Sequence, residues 1–300
     1  MNLTNVDFIG DIHGHAQELT QLFQKLGYEN ANGYFHHSDR KAFFVGDFID
    51  RGPQIKEVID IVRPMIDNGA AYTVIGNHEY NAICYWTKVS GHFLRDHSEK
   101  NTGQHQKTIN SFTDVQLRDC VNWFKTLPIY FECDGFRVIH AQWHQTYIDQ
   151  LRTLDVNNFS NPEFLATTAN KATPAYRMID VLLKGEELQV PNVFFRDKDL
   201  NERDFYRLKW WMAGNNVKAQ DALFEFEERE KDIKLPELSG YDPNDVPVFF
   251  GHYWLKDKKP ILQQKNVCCL DFSIAKGGIL TAYRWDGERE LDVNKFLWVE

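Results

Sequence analysis

The chain has 300 residues, of which 43% are hydrophobic, and its formal net charge is −9. This length and apolar fraction are sufficient for one large domain with a substantial core. The acidic balance disfavours extended binding to nucleic acid, which requires a basic surface, so we expect no nucleic-acid partner.

Cysteine usage and hydropathy indicate an intracellular protein. The five cysteines form no CxxC pair, which is typical of reduced thiols in the cytoplasm. No apolar run approaches the roughly 20 residues that span a bilayer, and the first residues resemble no secretory signal. We therefore expect a soluble, cytoplasmic protein without a membrane partner.

Three glycine-marked clusters follow short apolar runs near the start of the chain. Each cluster is followed by helical spacing of apolar residues, which predicts three strand–turn–helix units. Ligands bind at the carboxyl ends of strands in open α/β sheets, so we expect the clusters to meet. They are residues 10–14 (GDIHG), 46–52 (GDFIDRG) and 76–79 (GNHE), after predicted strands at 6–10, 41–45 and 71–75.

The second half of the chain predicts more strands. A capping box at Thr113 begins a helix that stops before Pro128, and an Asp134-Gly135 turn joins a hairpin. We expect the polar segment 88–107 to cross the surface. Further strands are predicted at 246–250, 267–272 and 279–285, with a closing strand near 290–293.

No internal repeat or low-complexity linker divides the sequence. We therefore predict a single domain over residues 1–300. Residues 145–240 carry the weakest pattern, and we interpret them as a helical cap or insertion over the site.

Six side chains at five predicted strand ends have the chemistry of metal ligands. They offer oxygen and imidazole donors without a thiolate, which suits manganese, iron or zinc. Six donors are enough for two metals that share one carboxylate and clamp a phosphoryl group between them, and Asp47 is the natural bridge. The six are Asp11, His13, Asp47, Asn77, His140 and His252.

Together, these motifs resemble those of the calcineurin-like metallophosphoesterases, in the phosphoprotein-phosphatase-type branch. The first third is most similar to bacterial diadenosine-tetraphosphatase-like enzymes, and the phosphatase domain of bacterial polynucleotide kinase–phosphatases is also similar. The resemblance implies an α/β fold, a two-sheet β-sandwich flanked by helices. It places a dimetal site at the strand C-terminal ends. Asp11, His13 and Asp47 would bind one metal, and the second would be bound by Asp47, Asn77, His140 and His252.

The same resemblance, together with side-chain chemistry, suggests the catalytic residues. His78 would donate a proton to the leaving oxygen, and Asp50 would orient its imidazole. Arg51 would bind the phosphoryl group, because its guanidinium matches phosphate oxygens, and Asn77 is also expected to bind it. The family places another phosphate-binding arginine in the middle region, where four candidates compete: Arg196, which we favour slightly, and Arg177, Arg203 and Arg207.

Most other polar residues have a simpler interpretation. Glu79 is expected to help start a helix rather than to react. Five histidines are expected to face solvent, namely His36, His37, His92, His97 and His105.

The sequence thus predicts a phosphoesterase with two divalent metal ions. Manganese is the preferred identity of these ions, and iron, zinc, nickel and magnesium are alternatives. The protein would hydrolyse phosphate esters or anhydrides with metal-activated water. The substrate would be a dinucleoside polyphosphate or a phosphoprotein, and a serine/threonine/tyrosine phosphoprotein phosphatase is an alternative function. His140-Ala141 departs from the His-Gly-Gly of many eukaryotic protein phosphatases, which weakens transfer of their specificity. A non-catalytic phosphate-binding regulator is the alternative from another class, and we would expect it to lack a ligand, Arg51 or His78.

Overall fold

A computed structural model describes residues 3–190, 204–224, 226, 235 and 237–300, with the backbone of 195–196 and 202–203. The first part of the chain alternates strands and helices. Its elements are β1 (Val6–Ile9), α1 (Ala16–Leu26), β2 (Glu29–Ala31), β3 (Tyr34–His36), β4 (Lys41–Phe44), α2 (Ile55–Asp67), β5 (Ala71–Thr73), α3 (Asn77–Trp86), β6 (Lys88–Val89), β7 (His92–Phe93), α4 (Glu99–Ser111), α5 (Asp114–Phe124), β8 (Tyr130–Glu132) and β9 (Arg137–Ile139).

Three helices and a series of short strands follow, before the chain returns to the main sheets. These elements are α6 (Gln145–Thr153), α7 (Pro162–Ala169), α8 (Pro174–Lys184), β10 (Glu187–Gln189), β11 (Phe195–Arg196), β12 (Glu202–Arg203), β13 (Phe205–Arg207), β14 (Ala213–Gly214), α9 (Ala219–Ala222), β15 (Leu238–Ser239), β16 (Val248–Phe250), β17 (Val267–Cys269), β18 (Asp271–Phe272), β19 (Ile279–Trp285) and β20 (Phe296–Val299). Within the described ranges, no helix combines the length and apolar character needed to cross a membrane.

Two sheets form the centre of the molecule. The six-stranded sheet has the order β18-β19-β1-β4-β5, with β20 added beside β19, and the four-stranded sheet has the order β17-β16-β9-β8. Strands β1, β4 and β5 run parallel, as do β9, β16 and β17. Parallel strands therefore deliver their carboxyl ends to the same edge of each sheet.

Aromatic side chains fill the space between the sheets. Phe8 of β1 stacks on Phe249 of β16, with ring centroids 3.6 Å apart, and its ring meets Phe136 edge-on. Phe43 of β4 contacts Phe131 of β8 in the same layer. Such pairs add specific geometry to the burial of large apolar surfaces. The predicted two-sheet sandwich flanked by helices is confirmed.

Local signals account for several element boundaries. Gly27 ends α1 in the left-handed conformation, with φ +83°, and Thr113 and Gln116 form the predicted capping box of α5. Asn161 caps α7, and α8 ends at Gly185.

Two expectations were wrong, and a third was incomplete. Residues 88–107 lie mostly on the surface, as expected, but they also contain the β6–β7 hairpin and most of α4, which begins after Ser98. The closing strand is Phe296–Val299 rather than 290–293, since residues Val293–Lys295 form a 3₁₀ turn. Residues 267–272 form two strands, because β17 pairs with β16 and β18 pairs with β19 in the other sheet.

Candidate metal and catalytic centre

The six predicted ligands come together where strands of both sheets end. Asp11 and His13 follow β1, Asp47 follows β4 and Asn77 begins α3 just after β5. From the other sheet, His140 follows β9 and His252 follows β16. The parallel direction of these strands explains the convergence. All six side chains are buried.

The backbone at this edge is unusually bent. Left-handed φ values are uncommon for residues with a Cβ, and they cluster where a site over-determines the backbone. Non-glycine residues with positive φ here are His13, Asp47, Asp50, Arg51, His252 and Trp254, at φ values of 44°, 55°, 63°, 66°, 71° and 53°.

Two glycines allow a carboxylate to lie very close to the backbone. A Cβ on Gly251 would collide with Oδ1 of Asp11, and one on Gly76 would collide with Oδ1 of Asp47. Both carboxylates therefore depend on a neighbour without a side chain.

Two groups of donor atoms share the Asp47 carboxylate. One group combines Asp47 with His13 and His78, and the other combines it with His140 and His252; within each group the donor atoms lie within 4.8 Å of one another. Oδ2 of Asp47 is 3.5 Å from Nε2 of His13 and 3.4 Å from Nε2 of His140. Asp47 thus lies between the two groups, and its role as a bridging ligand stays a prediction.

Two further predicted ligands lie beside these groups. Oδ2 of Asp11 accepts a hydrogen bond from the backbone N–H of His252, at 3.0 Å, which ties β1 to β16 across the sheets. Oδ1 of Asn77 lies 3.1 Å from Nε2 of His140. His78 is less suited to bind a metal than Asp11, because its Nε2 already contacts the guanidinium of Arg51 at 3.3 Å.

Hydrogen bonds to backbone carbonyls fix the orientation of two imidazoles. Nδ1 of His13 donates to the carbonyl of Ile49 at 3.0 Å, and Nδ1 of His140 donates to the carbonyl of Val45 at 2.8 Å. Each ring therefore presents Nε2 to the centre, as metal-binding histidines do. Burial lowers the pKa of His13 to about 3, so its Nε2 keeps a free lone pair.

Several buried polar atoms at the centre have no hydrogen-bond partner among the described residues. Buried polar groups are nearly always satisfied, so each such atom requires an explanation. Cations would satisfy the carboxylate oxygen, Nε2 of His13 and one ring nitrogen of His252, and the donor set fits two divalent ions. The atoms are Oδ1 of Asp11, Nε2 of His13, and both ring nitrogens of His252.

Negative charge is also concentrated here. Burial, Asp271 and Asp47 raise the pKa of Asp11 well above its ordinary value, and burial and Asp47 raise the pKa of Glu79 to about 7. Burial also raises the pKa of Asp47, but the surrounding imidazoles outweigh it and hold that pKa well below its usual range. Buried carboxylates of this kind favour bound cations.

Three side chains form a second group next to Asp47. Nδ1 of His78 donates to Oδ2 of Asp50 at 2.6 Å, and Nη2 of Arg51 lies 3.3 Å from Nε2 of His78. The guanidinium of Arg51 also stacks 4.1 Å from the ring centre of Trp254. The structure therefore brings together the three residues predicted to be catalytic.

The expectation that His105 faces solvent was wrong. His105 is only 5% exposed, and its Nδ1 donates to Oδ1 of Asp50 at 2.8 Å. Thr108 Oγ1 donates to the same oxygen. The spacing of His105 and Thr108 on α4 puts them on one face of the helix, and the Ser98 cap was the signal that could have predicted it.

Glu79 has a larger role than starting a helix. Its carboxylate caps α3 through the N–H of Gly76, as predicted, and accepts hydrogen bonds from the N–H groups of Asp47, Phe48 and Ile49. Glu79 therefore fixes the loop that carries the bridging carboxylate. Asp271 is another buried acid that the sequence did not single out; it accepts from the N–H groups of Trp254 and Ser273.

A cleft of 780 Å³ opens beside this centre. Its polar lining includes Arg51, Arg207, Lys209 and Lys276, and Trp254 is among its aromatic residues. The side chains contributed by 145–240 thus face the same space as those of the centre.

The four arginines weighed for phosphate binding have different positions. Arg207 lines the cleft, and its buried Nε has no hydrogen-bond partner among the described residues. Burial and the Arg207 charge lower the pKa of His252 well below its ordinary value. Arg177 pairs with Glu186. The side chains of Arg196 and Arg203 lie outside the described residues.

A comparison with protein families matches most of the chain. The family model described as calcineurin-like phosphoesterase matches residues 4–252.

Curated relatives and one solved structure extend this comparison. The bis(5'-nucleosyl)-tetraphosphatase PrpE [asymmetrical] of Oceanobacillus iheyensis is 46% identical over 137 residues, which are 45% of this chain and 54% of that protein. The Geobacillus sp. protein of the same name is 32% identical over 147 residues, or 48% of this chain and 59% of that protein. The chain thus matches little more than half the length of these relatives.

Among solved structures, a serine/threonine phosphatase from Saccharomyces cerevisiae has a TM-score of 0.55 at 13% identity, covering 99% of this chain and 79% of that one. At this identity, the likeness concerns the fold alone.

Proposed function

The chain belongs to the calcineurin-like phosphoesterase family, and from that premise we propose that it is a hydrolase that cleaves phosphate esters or anhydrides with two divalent metal ions. The observation that carries the proposal is the pair of buried donor groups that share Asp47. The polar atoms of this centre that lack partners among the described residues support the same conclusion.

The metal ligands would be those predicted from the sequence. Asp11, His13 and Asp47 would hold one ion, while Asp47, Asn77, His140 and His252 would hold the other. When bound, two divalent ions supply activation of water and stabilisation of charge on the phosphoryl oxygens. Oxygen and imidazole ligands suit manganese, our first choice, and also iron, zinc, nickel and magnesium.

The proposed role of the protein side chains is to bind the phosphoryl group and protonate the leaving oxygen. A guanidinium only donates hydrogen bonds, so Nε2 of His78 is the acceptor in its contact with Arg51. Phosphoryl oxygens that engage Arg51 would release Nε2 to carry a proton. Asp50 would hold the imidazole through Nδ1, so that Nε2 faces the leaving group.

We propose a dinucleoside polyphosphate as the first substrate class. The names of the curated relatives support this choice. The cleft of 780 Å³ beside Arg51 has the size of small-molecule sites. Its cations would bind additional phosphates, with Arg207 rather than Arg196 as the second phosphate-binding arginine, because Arg207 lines the cleft beside the centre.

A phosphoprotein is the second substrate class. Two apolar side chains of the cleft lining, Phe205 and Ile261, are 46% and 43% exposed, and an extended peptide could bury them. A non-catalytic regulator has less support, since Arg51, Asp50 and His78 are all present and in contact.

We also infer that the chain is a single domain, in which residues 145–240 form one wall of the substrate cleft. Arg207, Lys209 and Phe224 of this segment line the cleft, while Trp210 and Trp211 pack on Phe250 of β16. All five cysteines are free, which supports a cytoplasmic location.

The test is a hydrolysis panel on metal-stripped protein refilled with Mn²⁺. It compares p-nitrophenyl phosphate, diadenosine tetraphosphate and a phosphoserine peptide, with Asp47→Asn and His78→Ala as variants. We expect metal-dependent turnover that both variants reduce at least 100-fold, with the dinucleotide preferred. Absence of turnover on every substrate, despite two bound metals, would favour the regulator.

A further inference from the structure

The Asp50 carboxylate contacts two imidazoles rather than one. Oδ2 accepts from Nδ1 of His78 at 2.6 Å and Oδ1 accepts from Nδ1 of His105 at 2.8 Å. Asp50 is 3% exposed and His105 is 5% exposed, so water does not compete freely for either bond. Each carboxylate oxygen is therefore assigned to a different histidine.

The hydrogen bonds of His105 specify which of its nitrogens carries the proton. Nε1 of Trp86 donates to Nε2 of His105 at 3.1 Å, and an indole N–H can only donate. Nε2 must then be unprotonated, so His105 is a neutral imidazole with its proton on Nδ1. That proton is the one donated to Asp50.

A second residue of α4, Thr108, also holds the Asp50 carboxylate. Thr108, one helical turn after His105, donates through Oγ1 to Oδ1 of Asp50 and accepts from the Asp50 backbone N–H at 3.0 Å. Burial raises the pKa of Asp50, but the hydrogen bonds from His105 and His78 outweigh it and hold that pKa well below its ordinary value. Asp50 therefore stays ionised and cannot rotate without breaking bonds to α4.

We propose that His105, held in one tautomer by Trp86, is a positioning residue that fixes the Asp50 carboxylate so that His78 points its Nε2 at the leaving oxygen. The inference rests on the proposed phosphoesterase function. In the reaction, water forms the new P–O bond and releases one proton, which restores the proton that His78 gives away, while the bond to the leaving oxygen breaks. The leaving oxygen takes the proton from Nε2 of His78, and Nδ1–H remains bonded to Asp50.

This role predicts a dependence on the leaving group. A 2,4-dinitrophenolate leaves without protonation, whereas a phenolate needs the proton of His78. Misplacing His78 should therefore slow phenyl phosphate and spare 2,4-dinitrophenyl phosphate. A general loss of structure would slow both substrates alike.

The kinetic experiment compares His105→Leu, His105→Asn and the control His97→Phe in the Mn²⁺-loaded protein. Asn places an amide N–H close to the position of Nδ1, so it should rescue the bond to Asp50. His97 stacks on Tyr85 in the same region and makes no recorded contact with Asp50 among the described residues.

We expect His105→Leu to lower kcat for phenyl phosphate about tenfold, with KM unchanged, and to change 2,4-dinitrophenyl phosphate less than about twofold. His105→Asn should stay within about threefold of the wild type, and His97→Phe should match it. In an Asp50→Asn background, His105→Leu should have no further effect, since coupled residues are not additive.

A spectroscopic readout on the metal-free protein does not depend on turnover. Two-dimensional ¹H–¹⁵N spectra of histidine rings should show His105 as the Nδ1–H tautomer, with its signal absent in His105→Asn and shifted in Trp86→Phe. These spectra also test the proposed tautomer of His105 if His105→Leu fails to fold.

Four results would overturn the proposal: an Nε2–H tautomer, equal losses on both substrates, no rescue by Asn, or an undiminished effect in the Asp50→Asn background. If the wild type is active but His105→Leu loses equal activity on both substrates, the positioning role of His105 is overturned and the proposed phosphoesterase function stands. If the wild type hydrolysed neither substrate, the proposed function would fall as well.

Discussion

At the residue scale, the centre depends on side chains that would be unfavourable elsewhere. Left-handed residues, buried carboxylates and polar atoms that lack a partner in the described part of the chain each cost free energy, and they lie together around Asp47. Such costs persist where the surrounding structure over-determines them, and they mark functional sites. The same concentration explains why small changes here should affect function more than folding.

Gly251 offers a direct test of this close packing. Gly251→Ala would place a methyl group against Oδ1 of Asp11, so the carboxylate must move away from the metal position. We expect a loss of metal content and activity of at least tenfold, with a stability cost of about 1–3 kcal/mol. Metal analysis and thermal unfolding measure the two effects. Gly103→Ala is the control, because Gly103, like Gly251, has no positive φ but has open space around its Cβ position. Equal metal loss in both variants would contradict the argument.

Buried thiols predict a loss of stability at high pH. Burial raises the pKa of Cys84 from an ordinary value of 9.0 to about 11, so above pH 9 the unfolded chain binds fewer protons than the folded one. Stability should therefore fall by roughly 1.4 kcal/mol per pH unit between pH 9 and 11 for this group. Urea unfolding of Cys84→Ala should show a smaller slope with pH than the wild type. Identical slopes would argue against the shift.

At the element scale, helix α4 connects the surface to the catalytic group. It begins at a Ser98 cap, which accepts from the N–H of Asn101 at 3.4 Å, and its buried face carries His105 and Thr108. The helix is otherwise mostly exposed. Its contacts with Asp50 act together with its N-terminal cap and with hydrogen bonds from α3 to His105 and Thr102.

Two cap substitutions separate stability from function. Ser98→Ala and Thr113→Ala each remove an N-cap, so each should cost about 1 kcal/mol in the free energy of unfolding. Only Ser98→Ala affects the helix that holds Asp50, so it alone should lower kcat for phenyl phosphate, by about twofold to threefold. Denaturant unfolding and steady-state kinetics on both variants check this. A comparable fall in kcat in Thr113→Ala would show that the effect is not specific to α4.

At the scale of the whole molecule, the centre lies where the two sheets meet. The first sheet contributes Asp11, His13 and Asp47, and the second contributes His140 and His252. Ions that bind both sets would link the sheets across the sandwich. Metal binding should therefore stabilise the entire fold rather than one loop.

Metal removal tests this coupling. Ligands that bind only the folded state at 100 times their Kd add about 2.7 kcal/mol of stability, so chelation should lower Tm by several degrees and Mn²⁺ should restore it. In Asp47→Asn, both donor groups are weakened, so the Tm should change much less on chelation and on addition of Mn²⁺. Calorimetry with and without Mn²⁺ measures the change. A Tm that is insensitive to metal in the wild type would contradict coupling between the sheets.

Local signals in the sequence were enough to predict where most strands end and that six polar side chains meet there, whereas the two-sheet fold was implied by the resemblance to the phosphoesterase family. Glycine clusters after apolar runs mark where strands stop, and parallel strands bring those stops together. Caps and turns such as Gly27 and Thr113 depend on neighbouring residues only. These features could be predicted because their physical causes act within a few residues or follow from strand direction.

The tertiary structure alone decided the contacts between distant segments. His105 reaches Asp50 across 55 residues of chain, and the backbone groups that Glu79 binds come from the loop after β4. Arg207 faces the centre from a segment with weak periodicity. No local pattern specifies such contacts, because they arise from packing between elements rather than from the propensity of either one. The sequence thus determined which groups the centre contains, and the fold decided which of them hold the others in place.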